Sequence, residues 1–251
     1  MPMFQKIGRF FFTLYAFATF ILIMLLLLPF IVVASFFGIY TGGNAIYKIC
    51  TLWADINLFL WGIRHRNIYE APPAKGHAVV YVCNHISFID IPLMLKAFRH
   101  QHFRVLGKSE MARIPVFGFI YRKSAVMVNR ESESDRKKSV AALKEFLAKE
   151  ISVVIAPEGT FNETNRALKD FYNGAFRIAV ETNTPVQPVL LLDGFNRMPY
   201  TSLFSLNPGK SRAIFLPEMD PGMDALTLKE KVYHIMEDGL IRYKASWIKS
   251  N

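Results

Sequence analysis

No acidic residue precedes Asp55 in this chain, and no charged side chain of either sign occurs between Phe10 and Tyr47. That gap of 38 residues exceeds the ~20 apolar residues that cross a bilayer. It also exceeds the apolar core of a signal peptide, about 7–15 residues closed by a small-residue cleavage site. Here Ala34-Ser35 runs on into more apolar chain. Cysteine is nearly missing: Cys50 and Cys83 are too few for a disulfide framework or a four-cysteine zinc site, which fits a reducing compartment. Charged residues make up only 20% and hydrophobic ones 52%, which excludes intrinsic disorder. The 14 glycines and 13 prolines exclude a collagen-like or linker sequence.

Several catalytic signatures are absent as well. The Gly-Lys-Ser triplets at Gly107 and Gly209 lack the P-loop glycine five positions earlier, where His102 and Phe204 stand. There is no G-x-G-x-x-G, and no G-x-S-x-G to carry a hydrolase serine. His100 and His102 read as part of a surface loop, and no metal site is expected.

What the chain does carry is basic charge, 30 Lys and Arg against 20 Asp and Glu, for a net +10. Joined to a greasy end and a mean hydropathy of +0.22, this balance favours a membrane surface over nucleic acid. Residues 1–62 are expected to form an N-terminal membrane anchor, and 63–251 a globular domain. Pro29, inside the apolar run, predicts either one tilted span or two short helices that enter and leave the same leaflet. Cations flank both sides (Lys6 and Arg9; Lys48, Arg64 and Arg66), so a single span has no preferred orientation. A re-entrant pair would keep both flanks in the cytoplasm. Trp53 to Trp61 reads either as an interfacial helix or as a first helix packed on the core.

Beyond Gly76, short β-rich runs alternate with helical stretches. Expected strands are Ala78–Cys83, Phe103–Leu106, Ala125–Val128, Ser152–Ala156, Val186–Leu192 and Ala213–Leu216. Expected helices are Ile91–Phe98, Ser139–Lys149, Asn173–Thr182 and Leu226–Ile248. The alternation predicts an α/β fold, a mostly parallel sheet covered by helices. Function in such sheets sits beyond the carboxyl ends of strands. Three such ends offer Asn84-His85 through Asp90, Asn129-Arg130, and Pro157-Glu158-Gly159-Thr160.

His85 and Asp90 are five residues apart. Two mid-helix positions at that offset diverge by about 140°. They meet if His85 lies on the strand-to-helix loop and Asp90 in the first helical turn, with Ser87 as cap and Pro92 as an early helical residue. The carboxylate would then hold one imidazole nitrogen and leave the other to take a proton. The helix N-terminus would offer free N–H groups to a developing oxyanion.

These residues resemble a known family. Asn84-His-Ile-Ser-Phe-Ile-Asp90 looks like the N-H-x-x-x-x-D block of the glycerolipid acyltransferases, 1-acylglycerol-3-phosphate acyltransferase type. Ser124-Ala-Val-Met-Val-Asn-Arg130 resembles their second block, Ala156-Pro-Glu-Gly-Thr160 their F-P-E-G-T block, and Thr184-Pro-Val-Gln-Pro-Val189 the fourth. The resemblance covers about 75–220. It implies acyl transfer from a thioester, acyl-CoA or acyl-carrier protein, to a lysolipid hydroxyl, most directly 1-acylglycerol-3-phosphate. Another lysolipid or a lyso-aminolipid as acceptor, or a non-catalytic adaptor of the same fold, are the alternatives. His85 would be the base and Asp90 its partner. Substrate contacts would fall on Asn84, Ser87, Lys108, Arg130, Glu158, Gly159 and Thr160, with Glu158 orienting Arg130 or its own turn. No bound cofactor is implied. The implied partners are the bilayer, the acceptor and the acyl donor, with no nucleic acid, at the cytoplasmic face of the inner or plasma membrane. Four positions depart from the pattern: Phe161 and Asn162 stand where the family has arginine and serine, Ser124 where it has glycine, and Tyr172 where it often has lysine. Arg166 or Lys169 would have to supply the missing charge.

Overall fold

The computed structural model describes residues 3–72, 76–222 and 224–248. Seven strands form one sheet in the order β1-β7-β6-β2-β5-β3-β4. They are β1 (Ile63–Tyr69), β2 (Val80–Cys83), β3 (Phe103–Lys108), β4 (Val126–Val128), β5 (Ser152–Ile155), β6 (Val186–Leu192) and β7 (Gly209–Phe215). Strands β6, β2, β5, β3 and β4 run parallel, whereas β7 is antiparallel to β6 and carries β1 parallel beside it. Every residue of β2, β5 and β6 is buried, as expected of strands covered on both faces.

The two faces divide by side-chain alternation. Val80, Val82, Val153, Ile155, Leu190, Leu192 and Ile214 pack against α5 (Glu133–Ala148), α6 (Gly174–Glu181) and α8 (Ala225–Arg242). Val79, Tyr81, Cys83, Val154, Val189, Leu191 and Ala213 face α1 (Met3–Ser35), α2 (Gly43–Leu60), α3 (Asp90–Ala97) and α4 (Phe117–Ser124). Ser132 caps α5 through Asp135 N at 3.2 Å, and Asp224 caps α8 through Leu226 N at 2.9 Å. A short α7 (Gly194–Arg197) follows β6.

The six expected strands and four expected helices are present, β6 with the expected ends and the others with shifted ones. Strand β1 and helix α4 were not foreseen. The polar alternation of Ile63-Arg-His-Arg-Asn-Ile-Tyr69 disguises an edge strand.

Helices α1 and α2 form an antiparallel pair. Pro29 does not break α1, which runs unbroken through it. The chain turns instead at Phe36–Gly42, where a π-helical turn (Gly38–Gly42) precedes α2. Two adjacent glycines permit this: a Cβ on Gly42 would sit 2.3 Å from Ala34 O, and one on Gly43 2.4 Å from Arg104 Nη2. Arg104, fully buried in β3, donates to the carbonyls of Ile39 (2.8 Å) and Tyr40 (3.1 Å) and to Asn44 Oδ1 (2.9 Å). It clasps the turn to the sheet.

Thr13, Ala16, Ile23, Met24, Ile31 and Ala34 form the inward stripe of α1. Most of its other apolar side chains, among them Phe11, Leu22, Leu26, Phe30 and Val33, are exposed. Among the described helices, α1 alone is long and apolar enough to cross a membrane. Trp53 and Trp61 are not interfacial anchors. Both are buried, donating to Phe20 O (3.2 Å) and Thr19 Oγ1 (3.0 Å) of α1. Phe59 takes the outward position on α2, 82% exposed.

Candidate active site

The site lies at the carboxyl ends of β2 and β5. Asn84, the first residue past β2, spends its amide on the neighbouring strand: Nδ2 donates to Leu191 O (3.0 Å), and Oδ1 accepts Leu191 N (2.8 Å). It is buried and aims the chain that follows. His85 Nδ1 lies 2.8 Å from Asp90 Oδ2, with the imidazole 28% exposed and the carboxylate fully buried. Asp90 is the first residue of α3, and its Oδ2 also accepts the N–H groups of Ile86 (2.8 Å) and Ser87 (2.9 Å). With Nδ1 committed, Nε2 forms no hydrogen bond among the described residues.

Several of the N–H groups that could have served an oxyanion are spent within the loop. Ile86 and Ser87 donate to Asp90, Ile89 donates to Ser87 Oγ (3.2 Å), and Asp90 donates to Ser87 O (3.1 Å). Ser87 does not occupy the cap position, which falls on Ile89. Its hydroxyl donates instead to Met198 O at 2.6 Å.

The third block grips His85 from behind. Glu158 Oε1 accepts the His85 N–H (3.0 Å), Oε2 accepts the Lys169 N–H (2.9 Å), and Asn162 N–H donates to His85 O (2.9 Å). Burial pushes the Glu158 carboxyl up to about 7, against the two N–H groups that favour its charge, and the nearby Asp90 adds to the rise. The sequence offered Glu158 two roles, orienting Arg130 or its own turn, and it forms no bond to Arg130 among the described residues. Arg130 donates to Gly159 O. Gly159 has φ +76°, and a Cβ there would lie 2.7 Å from both Arg130 Nη1 and Tyr172 Cε2, so glycine is required. Thr160 Oγ1 accepts Lys169 Nζ at 2.7 Å, whereas Arg166 is spent in an exposed pair with Asp170. Lys108 is exposed at the end of β3, opposite Val128 in register.

Two residues, Phe161 and Gly194, carry more of the site than sequence reasoning gave them. The Phe161 ring lies 4.3 Å from the His85 ring and packs with Phe88 (5.1 Å) and Tyr200 (6.2 Å), forming an aromatic wall beside the imidazole. Gly194, just past β6, approaches Asp90 so closely that a Cβ would sit 2.9 Å from Oδ1. The strand-end rule applied to β6 as well would have found it.

Two cavities adjoin these elements. One of about 470 Å³ is lined by Arg130, Arg136 and Gly159 above apolar Leu106, Val128 and Leu143. The other, about 110 Å³ and almost wholly apolar, lies between the hairpin and the α3–α4 side, lined by Met24, Trp53, Ile91 and Met94 among others.

Residues 63–192 match the model of the Acyltransferase family. The chain belongs to that family. A 1-acyl-sn-glycerol-3-phosphate acyltransferase of Brassica napus chloroplasts, BAT2, is 34% identical over 66% of this chain and 48% of its own length. The chain thus spans about half of the plant relatives it matches. A Helicobacter pylori 1-acyl-sn-glycerol-3-phosphate acyltransferase is 25% identical over 66% of this chain and 70% of its own. The crystal structure of PlsC, a lysophosphatidate acyltransferase from Thermotoga maritima, superposes with a TM-score of 0.78 over 98% of this chain and 100% of that one, at 23% identity. Its acyltransferase fold is the fold described above.

Proposed function

We propose that this protein is a membrane-bound O-acyltransferase that moves a fatty acyl group from a thioester to the hydroxyl of a lysophospholipid, 1-acylglycerol-3-phosphate foremost. The observation that carries the reading is the dyad: a buried carboxylate bonded to His85 Nδ1, and Nε2 left free on a part-exposed ring. Nε2 takes the proton from the acceptor hydroxyl as its oxygen attacks the thioester carbonyl. Asp90 stabilises the imidazolium that forms. When the tetrahedral intermediate collapses, the C–S bond breaks and the imidazolium returns the proton to the departing thiolate. No acyl-enzyme is required. Arg130, Pro157 and Gly159 border the cavity that suits the acceptor's phosphate end, and the apolar cavity beside Ile91 and Met94 suits a hydrocarbon chain. The exposed apolar face of α1 supports attachment to the bilayer, at whose cytoplasmic surface the donor arrives.

The test is a panel of lysolipid acceptors offered with labelled acyl-CoA or acyl-carrier protein and read by lipid mass spectrometry. Labelled phosphatidic acid is the expected product. Release of free fatty acid alone, with or without lysolipid, would make the protein a thioesterase, and no turnover of any donor would make it an adaptor.

Phe161 favours a second reading, an acceptor with less anionic charge such as another lysophospholipid or a lyso-aminolipid, because an aromatic wall stands beside His85 where the resembling family has a cation. Phe161→Arg separates the two. It should sustain or tighten use of lysophosphatidic acid if that is the acceptor. It should damage turnover, by placing an unpaired charge in an apolar setting, if the acceptor lacks a phosphate monoester.

A further inference from the structure

The dyad and the greasy hairpin leave a group of cations unexplained at one edge of the sheet. Strands β1 and β7 pair in register with Arg64 opposite Lys210 and Arg66 opposite Arg212. Residues two apart on a strand share a face, so the four side chains form a two-by-two array. Arg212 is neutralised by Asp193, at 2.8 and 3.0 Å. Arg64, Arg66 and Lys210 are exposed and form no ion pair among the described residues. Like charges facing each other across a strand pair destabilise it, so the array contributes nothing to the fold by itself. It is suited to an anion from outside.

Its position indicates which anion. Strand β1 starts just after α2 ends at the outward-facing Phe59 and Leu60. Alongside, exposed Leu203 and Phe204 sit on the loop before β7, and Phe204 packs on Phe10 (5.4 Å) and Phe17 (6.2 Å) of α1. The same loop is tied to α1 by Leu206 N–H donating to Thr13 Oγ1 at 3.1 Å. Arg197 donates to Pro208 O, next to Gly209 and Lys210, and Arg9 of α1 is among the charges that act on it. Cations and exposed phenylalanines thus border one another at the open end of the hairpin. Its turn end bears exposed Phe36, Phe37 and Ile39 with no charge.

We propose that the β1–β7 edge is a docking surface for the headgroups of anionic phospholipids, seating the open end of the hairpin at the bilayer surface. The proposal rests on the hairpin being membrane-embedded. The cations share the face of Ile214, opposite the hairpin. Charge complementarity selects an anion, and the exposed Phe59, Leu60, Leu203 and Phe204 beside the same strand starts select a bilayer over a soluble partner.

The experiment is co-sedimentation of the full chain with vesicles of phosphatidylcholine alone or about one-third phosphatidylglycerol, for wild type and for Arg64→Gln/Arg66→Gln/Lys210→Gln. Each cation near an anionic surface contributes roughly fivefold. Wild type should therefore prefer the anionic vesicles by about tenfold or more, less so as salt shortens the screening length. The triple variant should lose most of that preference and keep wild-type binding to neutral vesicles, with Arg64→Gln alone intermediate. Thermal stability of the variants should hold or rise as the repulsion is relieved. Equal binding of wild type to both vesicles would overturn this proposal alone, whereas failure to bind either would overturn the hairpin reading with it. A triple variant with intact lipid preference and a raised KM for the acyl thioester would assign the edge to the donor and also overturn it.

Discussion

The N-terminal hairpin and the body of this molecule obey opposite rules. The body hides its apolar residues between sheet and helices and then buries charge at its working edge, where Asp90 and Glu158 are almost wholly enclosed. Their carboxylates accept backbone N–H groups and the imidazole, and the exception is Asp90 Oδ1, which has no hydrogen-bond partner among the described residues. Helix α1 reverses the pattern: it has a narrow inward stripe and a broad apolar exterior, with no charged residue from Phe10 to Ser35. In water such a surface is costly, and in lipid it is the favourable one. The contrast is the one that the proposed attachment requires, a single chain fitted to two solvents. The clasp of Arg104 on the turn carbonyls and the buried Trp53 and Trp61 keep the two parts in a fixed relation.

The largest effect should come from making the hairpin obey the body's rule. Leu26→Glu with Phe30→Glu puts two charges on the outward face of α1. A charge at the centre of a span costs about 2.5–3.5 kcal/mol, so vesicle binding should fall by about a hundredfold or more with detergent stability unchanged. Undiminished binding would remove the hairpin from the attachment. The same substitution at Ile31, on the inward stripe, should instead unfold the protein. Deleting the hairpin outright is a poorer test, because α1 and α2 cover one face of the sheet.

Next in size is Arg130→Ala. A charge-assisted hydrogen bond is worth about 1.5–3 kcal/mol, so KM for lysophosphatidic acid should rise about tenfold or more while the donor KM hardly moves. An unchanged acceptor KM would leave only the general claim of lipid acyl transfer.

Glu158→Gln gives the smallest effect and probes charge burial in the body. The carboxyl is raised from 4.5 to about 7 in the folded protein. The folded state therefore holds that proton more tightly than the unfolded chain, and stability is lost as pH rises through this window. The Tm of wild type relative to the variant should fall between about pH 5 and pH 8. A difference independent of pH would contradict the assigned burial.

The dyad was legible because its information is local: five residues of spacing and one strand end fix the His85–Asp90 meeting. The central strands were legible because burial on both faces demands unbroken Val, Ile and Leu. What escaped depends on distant chain. Strand β1 looks like a charged flank until β7 pairs with it. Pro29 left one tilted span and two short helices both open, and the glycine pair Gly42-Gly43, well beyond Ser35, is what accommodates the turn. Gly194 reaches Asp90 only through the far end of β6. Glu158 was assigned either to Arg130 or to its own turn, since nothing in the motif reveals that its two oxygens face the His85 and Lys169 N–H groups.

Turnover of His85→Ala tests the central claim most directly, measured in vesicles where binding of acceptor and bilayer is followed in parallel. A positioned general base contributes about 10²–10⁴-fold. Acyl transfer should fall by that factor, with the variant folded and its lipid binding intact. Near-normal turnover in a folded His85→Ala protein would contradict the mechanism.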